Sequence, residues 1–583
     1  MIEDIAMSWR APIDDILFTL TKVAPGPDGA PPLDRDDLAI IVDEAARFAE
    51  ERVAPLDRIA DTTGAKWADG TVTTPPGFRM AYADWAAAGW NAVSQSEEFG
   101  GSALPTAVGT ATMELLTSAC MSLSTLPVLS QGAADALEAH ASAELKALYL
   151  PKLISGEWTG TMNLTEPQAG SDLALLRTKA VPAGDGTYRI TGSKIFITFG
   201  EHDLATNIVH LVLARLPDAP SGVKGISLFV VPKFLPNPDG APGGRNDVRC
   251  SGIEHKLGIK GSPTCTMVFG DGGGAVGWLV GEPHKGLACM FTMMNKARLL
   301  TGLQGVAIAE KATQLAQRYA LERRQGKAAG FDGAAPIAAH PDVARTLARI
   351  QALTVSIRAL AYSAAAAIDR AATADTDEAR ARAELRASLL TPIVKAFSTD
   401  AGCEVASSCV QIHGGMGFIE ETGAAQLFRD IRIAPIYEGT NAIQAIDLVT
   451  RKIGRDGGGE VARVIAEART DAASASMLLG GSAARVEAAI DALEAATAHL
   501  LAPTTAETDR LFVAPAYLRL FGIVLTGTLL ARGAALAGEA EAHWPRLARV
   551  HAEELAVEAS ALLAQIASPS RRAEDYRALA GLG

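Results

Sequence analysis

The sequence predicts a mainly α-helical protein with one central antiparallel β domain. Three observations carry that expectation. Apolar residues recur at helical spacing up to about residue 158 and again after about residue 279. Between them, short β-branched stretches follow one another, punctuated by Gly and Pro, with no helix alternating among them. The 583 residues also exceed what a single core serves. The composition divides the chain into a helical domain at 1–158, a β domain at 159–278, a helical domain at 279–453 and a further helical domain at 454–583.

Each block has its own signals. In "DDLAIIVDEAARFAEERVAPL", Asp36 and Asp37 supply a capping signal. Ile40, Ile41, Ala45, Phe48 and Val53 follow near helical spacing, and Pro55 ends the run. "FRMAYADWAAAGW" predicts a second helix, closed by Gly89. The uncharged run 115–134 holds six Ser/Thr and Pro127, which predicts a buried helix and turn rather than a membrane span. "TYRITGSKIFIT", "NIVHLVLARL", "GISLFVVP" and "TCTMVFG" predict strands. Helices return at 290–324, 341–371 and 377–413, the last stopped by Gly414-Gly415. "GRDGGGE" (454–460) has linker composition. Within the last block, 520–531 is uncharged but only a dozen residues long between Arg519 and Arg532. That is too short to cross a bilayer, so no integral membrane segment is expected.

The net charge of −13 argues against a nucleic-acid partner. The last block, from Asp456, carries sixteen acids against eleven arginines and no lysine, so it is acidic too. Six cysteines show neither CxxC nor metal-ligand spacing. They are expected as buried thiols in a reducing compartment, with no metal. The N-terminal "MIEDIAMSWRAP" lacks the layout of an export signal, so a cytoplasmic location is expected.

Five stretches carry chemistry. "MNLTEPQAGSDLA" (162–174) is a tight polar loop whose amides and hydroxyls suit a heterocycle and a phosphate; a turn capped at Ser171-Asp172 is the plainer alternative. In "GSKIFITFG", Phe196 and Thr198 alternate on one face of a strand, as in any amphipathic strand or beside a ring cofactor. The helix from Met293 carries Arg298 near one end and Arg323-Arg324-Gln325 at the other, residues that suit phosphates or a solvated helix end. "QIHGGMGFIEETG" has glycines that allow close backbone approach to a ligand, but not the Rossmann spacing. "IYEGTNAIQ" places Glu438 between an aromatic residue and a glycine, either as a helix-start acid or as a base.

Together, in this order, the five stretches resemble the acyl-CoA dehydrogenase family. "LTEPQAGSD" is similar to the family's flavin-and-substrate loop, "KIFIT" to its second flavin strand and "ALERRQG" to its dimer-crossing flavin arginine. "QIHGGMGF" resembles its adenosine segment and "IYEGTNAIQ" its catalytic motif. The resemblance runs from about 37 to 453. "SWRAPIDDILFTL" and the block after 456 are similar to those of bacterial members with a C-terminal extension, including long-chain acyl-CoA and 3-methylthiopropionyl-CoA dehydrogenases.

The resemblance implies an N-terminal helical domain, a β-barrel domain, a four-helix bundle and the extra C-terminal helical domain, with FAD as cofactor. It implies that Met162, Leu164, Thr165, Phe196 and Thr198 contact the flavin, and that Ser171 contacts cofactor and CoA substrate. Arg323, Gln325, Gln411 and Gly415 would hold FAD across a subunit interface, and Thr440 and Ala442 would lie near its phosphates. Asn295 and Arg298 would line the CoA channel, and Gly439 would leave room for substrate. The sequence departs from the family pattern in four places. Gly326-Lys327 follows Gln325 where Phe-Gly is usual, Phe196 stands for Trp, Asn295 for Asp, and Ala442 for a polar residue.

The implied reaction is α,β-dehydrogenation of an acyl-CoA thioester to the trans-2-enoyl-CoA. Glu438 takes the α-proton, hydride passes to the flavin, and the backbone N–H of Glu438 helps stabilise the enolate. Electrons would go to an electron-transfer flavoprotein, and the enzyme would be a homodimer or homotetramer. Acyl-CoA oxidase is the alternative, although the C-terminal "AGLG" carries no peroxisomal address. A DNA-binding flavoprotein of the same fold would need a basic tail in place of this acidic one.

Overall fold

The computed structural model describes residues 9–26, 29–568 and 573–582. Part of the N-terminal stretch read for targeting signals lies outside them. The chain forms two compact units: Ala45–Leu300, and Met1–Glu44 together with Thr301–Gly583.

The first unit begins with helices and ends in a β domain. Pro55 ends one helical run and caps the next, Leu56–Thr63. Ile40, on the part of helix Arg35–Phe48 that belongs to the second unit, was expected on the apolar face and is instead 61% exposed. The run 115–134 is buried as expected, but its break falls elsewhere. Helix Thr106–Ala119 stops at Cys120, which is extended, and Pro127 lies inside helix Met121–His140. A short hairpin of β1 (Lys66–Ala68) and β2 (Thr71–Thr73) interrupts the helices and gave no sequence signal.

The central strands are β3 (Trp158–Asn163), β4 (Lys179–Pro182), β5 (Tyr188–Thr198), β6 (Asn207–Arg215) and β7 (Ile226–Pro232), followed after a small hairpin (β8, Phe234–Pro236; β9, Pro242–Arg245) by β10 (Val248–Ile253), β11 (Thr264–Phe269) and β12 (Ala275–Val280). They run in the order β10-β11-β5-β12-β7-β6-β3. β4 pairs with both β5 and β6, which closes β5, β12, β7, β6 and β4 into a small barrel. The expected antiparallel pattern needs one correction: β3 and β4 both pair with β6 in parallel. The sequence offers no sign of this, because β3 is a polar-apolar mixture buried along most of its length. Ile190, Ile197, Val212, Phe229, Val231 and Phe269 are fully buried or nearly so and share one core.

The second unit is helical. Helices Pro341–Ala372 and Asp377–His413 form a hairpin, and the second ends on Gly414 at φ +58°. The part of helix Gly286–Glu322 in this unit packs so closely on Asp377–His413 that a Cβ on Gly305 would overlap the Ser398 carbonyl. Helix Glu507–Leu536 covers this bundle, with Gly522 against the Phe397 ring and Gly533 against Trp544. The stretch 520–531 is thus a segment of a 30-residue helix, not a short one. By length and composition, Glu507–Leu536 and Pro341–Ala372 could each cross a membrane, but 89% of each apolar window is buried inside the protein. The N-terminal segment joins this unit. Helix Ile13–Phe18 sets Phe18 against Trp544 at 5.0 Å, and Arg532 donates to the Val23 carbonyl at 3.0 Å.

Candidate active site

In the β-containing unit, the loop after β3 is tied to β5 by its own backbone and by one buried ion pair. Ile195 N–H donates to Thr165 O at 2.9 Å. Lys194 Nζ donates to Leu164 O at 2.9 Å and to Glu166 Oε1 at 2.8 Å. Glu166 also accepts from Arg177 N–H at 2.7 Å and from the Thr178 N–H and hydroxyl at 3.0 and 2.5 Å. Lys194 is 0% and Glu166 4% exposed. Burial pushes the Glu166 carboxyl up, but Lys194 and these donors together hold it down at about 2. Burial pulls the Lys194 ammonium down to about 8, so the pair is ionic at neutral pH. Neither residue was singled out in the sequence. The available signal was a lysine between strand residues, a type that is buried only when paired.

This anchoring brings Leu164 and Thr165 beside the end of β5. There the register against β11 shifts between Cys265 and Met267, and Phe196 takes φ +61°. Phe196 is 59% exposed, Ile197 is buried and Thr198 half-buried, so a buried residue separates two that reach solvent. A bulky residue in left-handed backbone at a bulge is strained, and such strain collects at functional sites. Met162 is half-buried on β3, opposite Leu211. Ser171 lies exposed at the far end of the loop, and Asp172, not Ser171, caps the short turn after it through Ala174 N–H at 2.9 Å. On helix Gly286–Glu322, Asn295 is exposed, while Arg298 is buried with its guanidinium 5.9 Å from the centre of the Phe291 ring. Five cysteines are buried and Cys403 is half-buried; all six are free thiols. No group of acid, His or Cys side chains among the described residues could hold a metal.

In the helical unit, the stretch around Glu438 is a built loop. Glu438 at φ +57° precedes Gly439 at φ +81°. The helix that follows, Asn441–Asp447, is capped by the Thr440 hydroxyl, which accepts from Ile443 N–H at 3.3 Å. The cap of this helix is therefore supplied by Thr440, two residues after Glu438. Gln444 donates to the Glu438 and Gly439 carbonyls at 3.1 and 3.3 Å. Lys395, fully buried, donates to Gly439 O and to Asn441 Oδ1, both at 2.9 Å. Tyr437 donates to the buried Gln304 amide oxygen. Burial pushes the Tyr437 phenol up, and the Glu438 charge pushes it the same way. Ala442 is exposed on the first turn of the helix. Lys395, Gln304 and Gln444 were not expected from sequence.

A second cluster lies elsewhere in this unit. His413 stacks on Tyr319 with ring centres 4.2 Å apart. This draws the segment bearing Arg323 and Gln325 toward the helix end bearing Gln411 and Gly415. All four of those residues are exposed. Gln325 N–H donates to Ala335 O at 2.9 Å, and Ala335 N–H returns to Gly326 O at 3.0 Å, which folds the segment back on itself. Arg323 follows directly on the end of the helix that carries Gln304, roughly 28 Å from it along the axis.

Residues 35–157, 161–271 and 284–453 match the acyl-CoA dehydrogenase N-terminal, middle and C-terminal domains. The chain belongs to the acyl-CoA dehydrogenase family. It is 48% identical over 550 residues to a 3-methylmercaptopropionyl-CoA dehydrogenase of Ruegeria pomeroyi, across 92% of each chain. It is 38% identical to a butyryl-CoA dehydrogenase of Syntrophomonas wolfei over 72% of this chain and 70% of that one. Its fold resembles ACDH-11 of Caenorhabditis elegans, solved with C11-CoA, at TM-score 0.77, 20% identity and coverage of 94% and 91%. It also resembles a Bacillus anthracis acyl-CoA dehydrogenase complexed with FAD, at TM-score 0.73, 20% identity and coverage of 99% and 95%. As an acyl-CoA dehydrogenase, this chain is a flavin oxidoreductase by family. The two terminal stretches outside the domain matches, before 35 and after 453, both belong to the helical unit.

Proposed function

We propose that the protein removes the α-proton of an acyl-CoA thioester with Glu438 and oxidises the acyl chain to the trans-2-enoyl-CoA. The observation that carries this reading is the Glu438 loop. An acid is held in left-handed backbone, its carbonyl and that of Gly439 are fixed by Gln444 and Lys395, and the helix cap is supplied by Thr440 instead. A base needs its carboxylate held at a defined place by the loop that carries it. Tyr437 provides an apolar face beside it, and Gly439 adds no side chain over the backbone.

FAD supplies the hydride acceptor. The open face of β5 fits it: Phe196 presents an exposed aromatic ring, Thr165 and Thr198 bring hydroxyls, and Lys194, committed to Glu166 and Leu164, fixes the loop without being offered to a ligand. Leu164 and Met162 complete the wall. Arg323, Gln325, Gln411 and Gly415 are assigned to FAD of a second subunit, in a homodimer or homotetramer. Their exposure beside Phe418, which is 87% exposed, supports that assignment. Thr440 and Ala442 are assigned to the phosphates, Ser171, Asn295 and Arg298 to CoA. Electrons pass to an electron-transfer flavoprotein, and the free thiols accord with a cytoplasmic location.

For the acyl group we favour 3-methylmercaptopropionyl-CoA, the 3-methylthiopropionyl thioester, because the Ruegeria relative matches across nearly the whole chain, extension included. The test is Glu438→Gln. The variant should remain yellow with bound FAD and lose about 100-fold to 10,000-fold in turnover with this thioester. Near-normal turnover would end the proposal. Bleaching of wild-type flavin by linear acyl-CoAs but not by 3-methylmercaptopropionyl-CoA would overturn the substrate assignment alone.

A further inference from the structure

The Glu438 loop is closed at its base by Asn441, a residue with no role in the reading above. Asn441 N–H donates to Pro435 O at 3.0 Å, so the stretch 435–441 is a closed turn with Glu438 midway along it. The Asn441 side chain then reaches the face of helix Asp377–His413. Its Oδ1 accepts from Lys395 Nζ at 2.9 Å. Its Nδ2 donates to Asp400 Oδ1 at 2.8 Å, to Thr399 Oγ1 at 3.0 Å and to Ala396 O at 3.1 Å.

These contacts hold the amide one way round. Reversed, its NH2 would face the Lys395 ammonium and its oxygen the Asp400 carboxylate, and both pairings repel. The two ends of this clamp differ in setting. Lys395 is fully buried and also donates to Gly439 O at 2.9 Å. One ammonium therefore joins the residue after Glu438 to the residue that closes the loop. Asp400 is exposed, so water weakens its share. Glu438 itself sits in left-handed backbone at φ +57°. A glutamate keeps that conformation where its surroundings impose it.

We propose that Asn441 is a positioning residue for α-proton transfer. Clamped between Lys395 and Asp400, it fixes the closed turn and with it the place of the Glu438 carboxylate. The proposal rests on the reading of Glu438 as the base. Asn441 acts through the loop, so it governs the rate of the chemical step and not the affinity for the thioester.

The measurement is anaerobic flavin bleaching of the FAD-loaded enzyme by 3-methylmercaptopropionyl-CoA and by butyryl-CoA. It yields a saturating rate per bound flavin and a half-saturating concentration. Asn441→Ala should lower the rate roughly 10-fold to 100-fold. The half-saturating concentration should stay within about twofold of wild type. Asn441→Asp keeps the size of the side chain and its bond from Lys395, but it sets a second carboxylate against Asp400. It should be slow as well. The double variant Asn441→Asp/Asp400→Asn puts an amide donor beside the new carboxylate and should regain most of the rate. Single variants with a lowered thermal midpoint but a wild-type rate per bound flavin would overturn the proposal, since Asn441 would then serve folding alone. A double variant no faster than Asn441→Asp would overturn it too. Glu438→Gln separates the two readings. Wild-type bleaching by Glu438→Gln would remove the base assignment and the positioning role with it. No bleaching by Glu438→Gln beside wild-type bleaching by Asn441→Ala would remove the positioning role alone.

Discussion

Lys194 Nζ and Glu166 Oε1 lie 2.8 Å apart with both side chains out of solvent, and the pair joins the loop after β3 to β5. Removing one member leaves the other charge buried and alone, which costs about 3 to 5 kcal/mol. Lys194→Met should therefore lower the urea midpoint by that equivalent and weaken FAD retention on dilution. The double variant Lys194→Met/Glu166→Gln should lose less than the sum of the singles, because neither charge is then stranded. The pair also has an acid limb. Glu166 is depressed to about 2 from an ordinary 4.5, so its contribution is complete above about 4.5 and is lost as pH falls toward 2. Equal acid sensitivity of wild type and Glu166→Gln would contradict this.

Phe196 separates strain from function. At φ +61° the phenylalanine backbone is strained by about 1 kcal/mol, and glycine is not. Phe196→Gly should raise or leave unchanged the thermal midpoint of the FAD-free protein while weakening FAD binding about tenfold through loss of the ring face. Phe196→Trp should keep FAD. Equal FAD affinity in the glycine variant would remove Phe196 from the flavin wall.

Gly305 fixes how closely two long helices approach. A Cβ there meets the Ser398 carbonyl, and one on Gly402 meets Gly305 O at 2.8 Å. Gly305→Ala should cost about 1 to 3 kcal/mol by overpacking, the reverse of the usual gain from replacing a helical glycine by alanine. A urea midpoint equal to or above wild type would show that the helices part without cost.

His543 sets a pH response in the helical unit. Its imidazole bonds Asp15 Oδ1 at 2.9 Å, and that bond, opposed by partial burial and aided by the Asp15 charge, raises its pKa. A raised histidine stabilises fully below the unfolded value of about 6.5, and the benefit is lost as pH rises through the higher folded value. The difference in melting temperature between wild type and His543→Gln should be larger at pH 5.5 than at pH 8.5. An unchanged difference would mean that the charge is not coupled to folding.

Long periodic elements were the most legible part of the fold. Helices Pro341–Ala372 and Asp377–His413 fall within a residue of expectation, because apolar spacing and a Gly414 stop mark them. β5 to β7 were equally plain, because β-branched runs end at Gly or Pro. The parallel placement of β3 was not, since pairing direction is a long-range property that no local pattern encodes. Ile40 misled because period alone does not say which face meets a neighbour. At the candidate site, Glu438, Gly439 and Thr440 were visible as a contiguous motif. The residues that hold the loop, Lys395 and Gln304, were not, because they come from distant helices and look like ordinary members of apolar runs. Glu166 was inside a quoted stretch but its partner stands 28 residues away.

The clasp between the N-terminal segment and the last helices has a consequence in time. Asp15 and His543 are separated by 528 residues, and Phe18 meets Trp544 across nearly the same interval. During synthesis at about 5 to 20 residues per second, helix Ile13–Phe18 waits roughly half a minute to two minutes for its partner to be made. Through that interval Phe18 lacks the ring that covers it. A segment translated so far ahead of its partner is thus among the last to find its place, and a chain released before the partner is made leaves it uncovered.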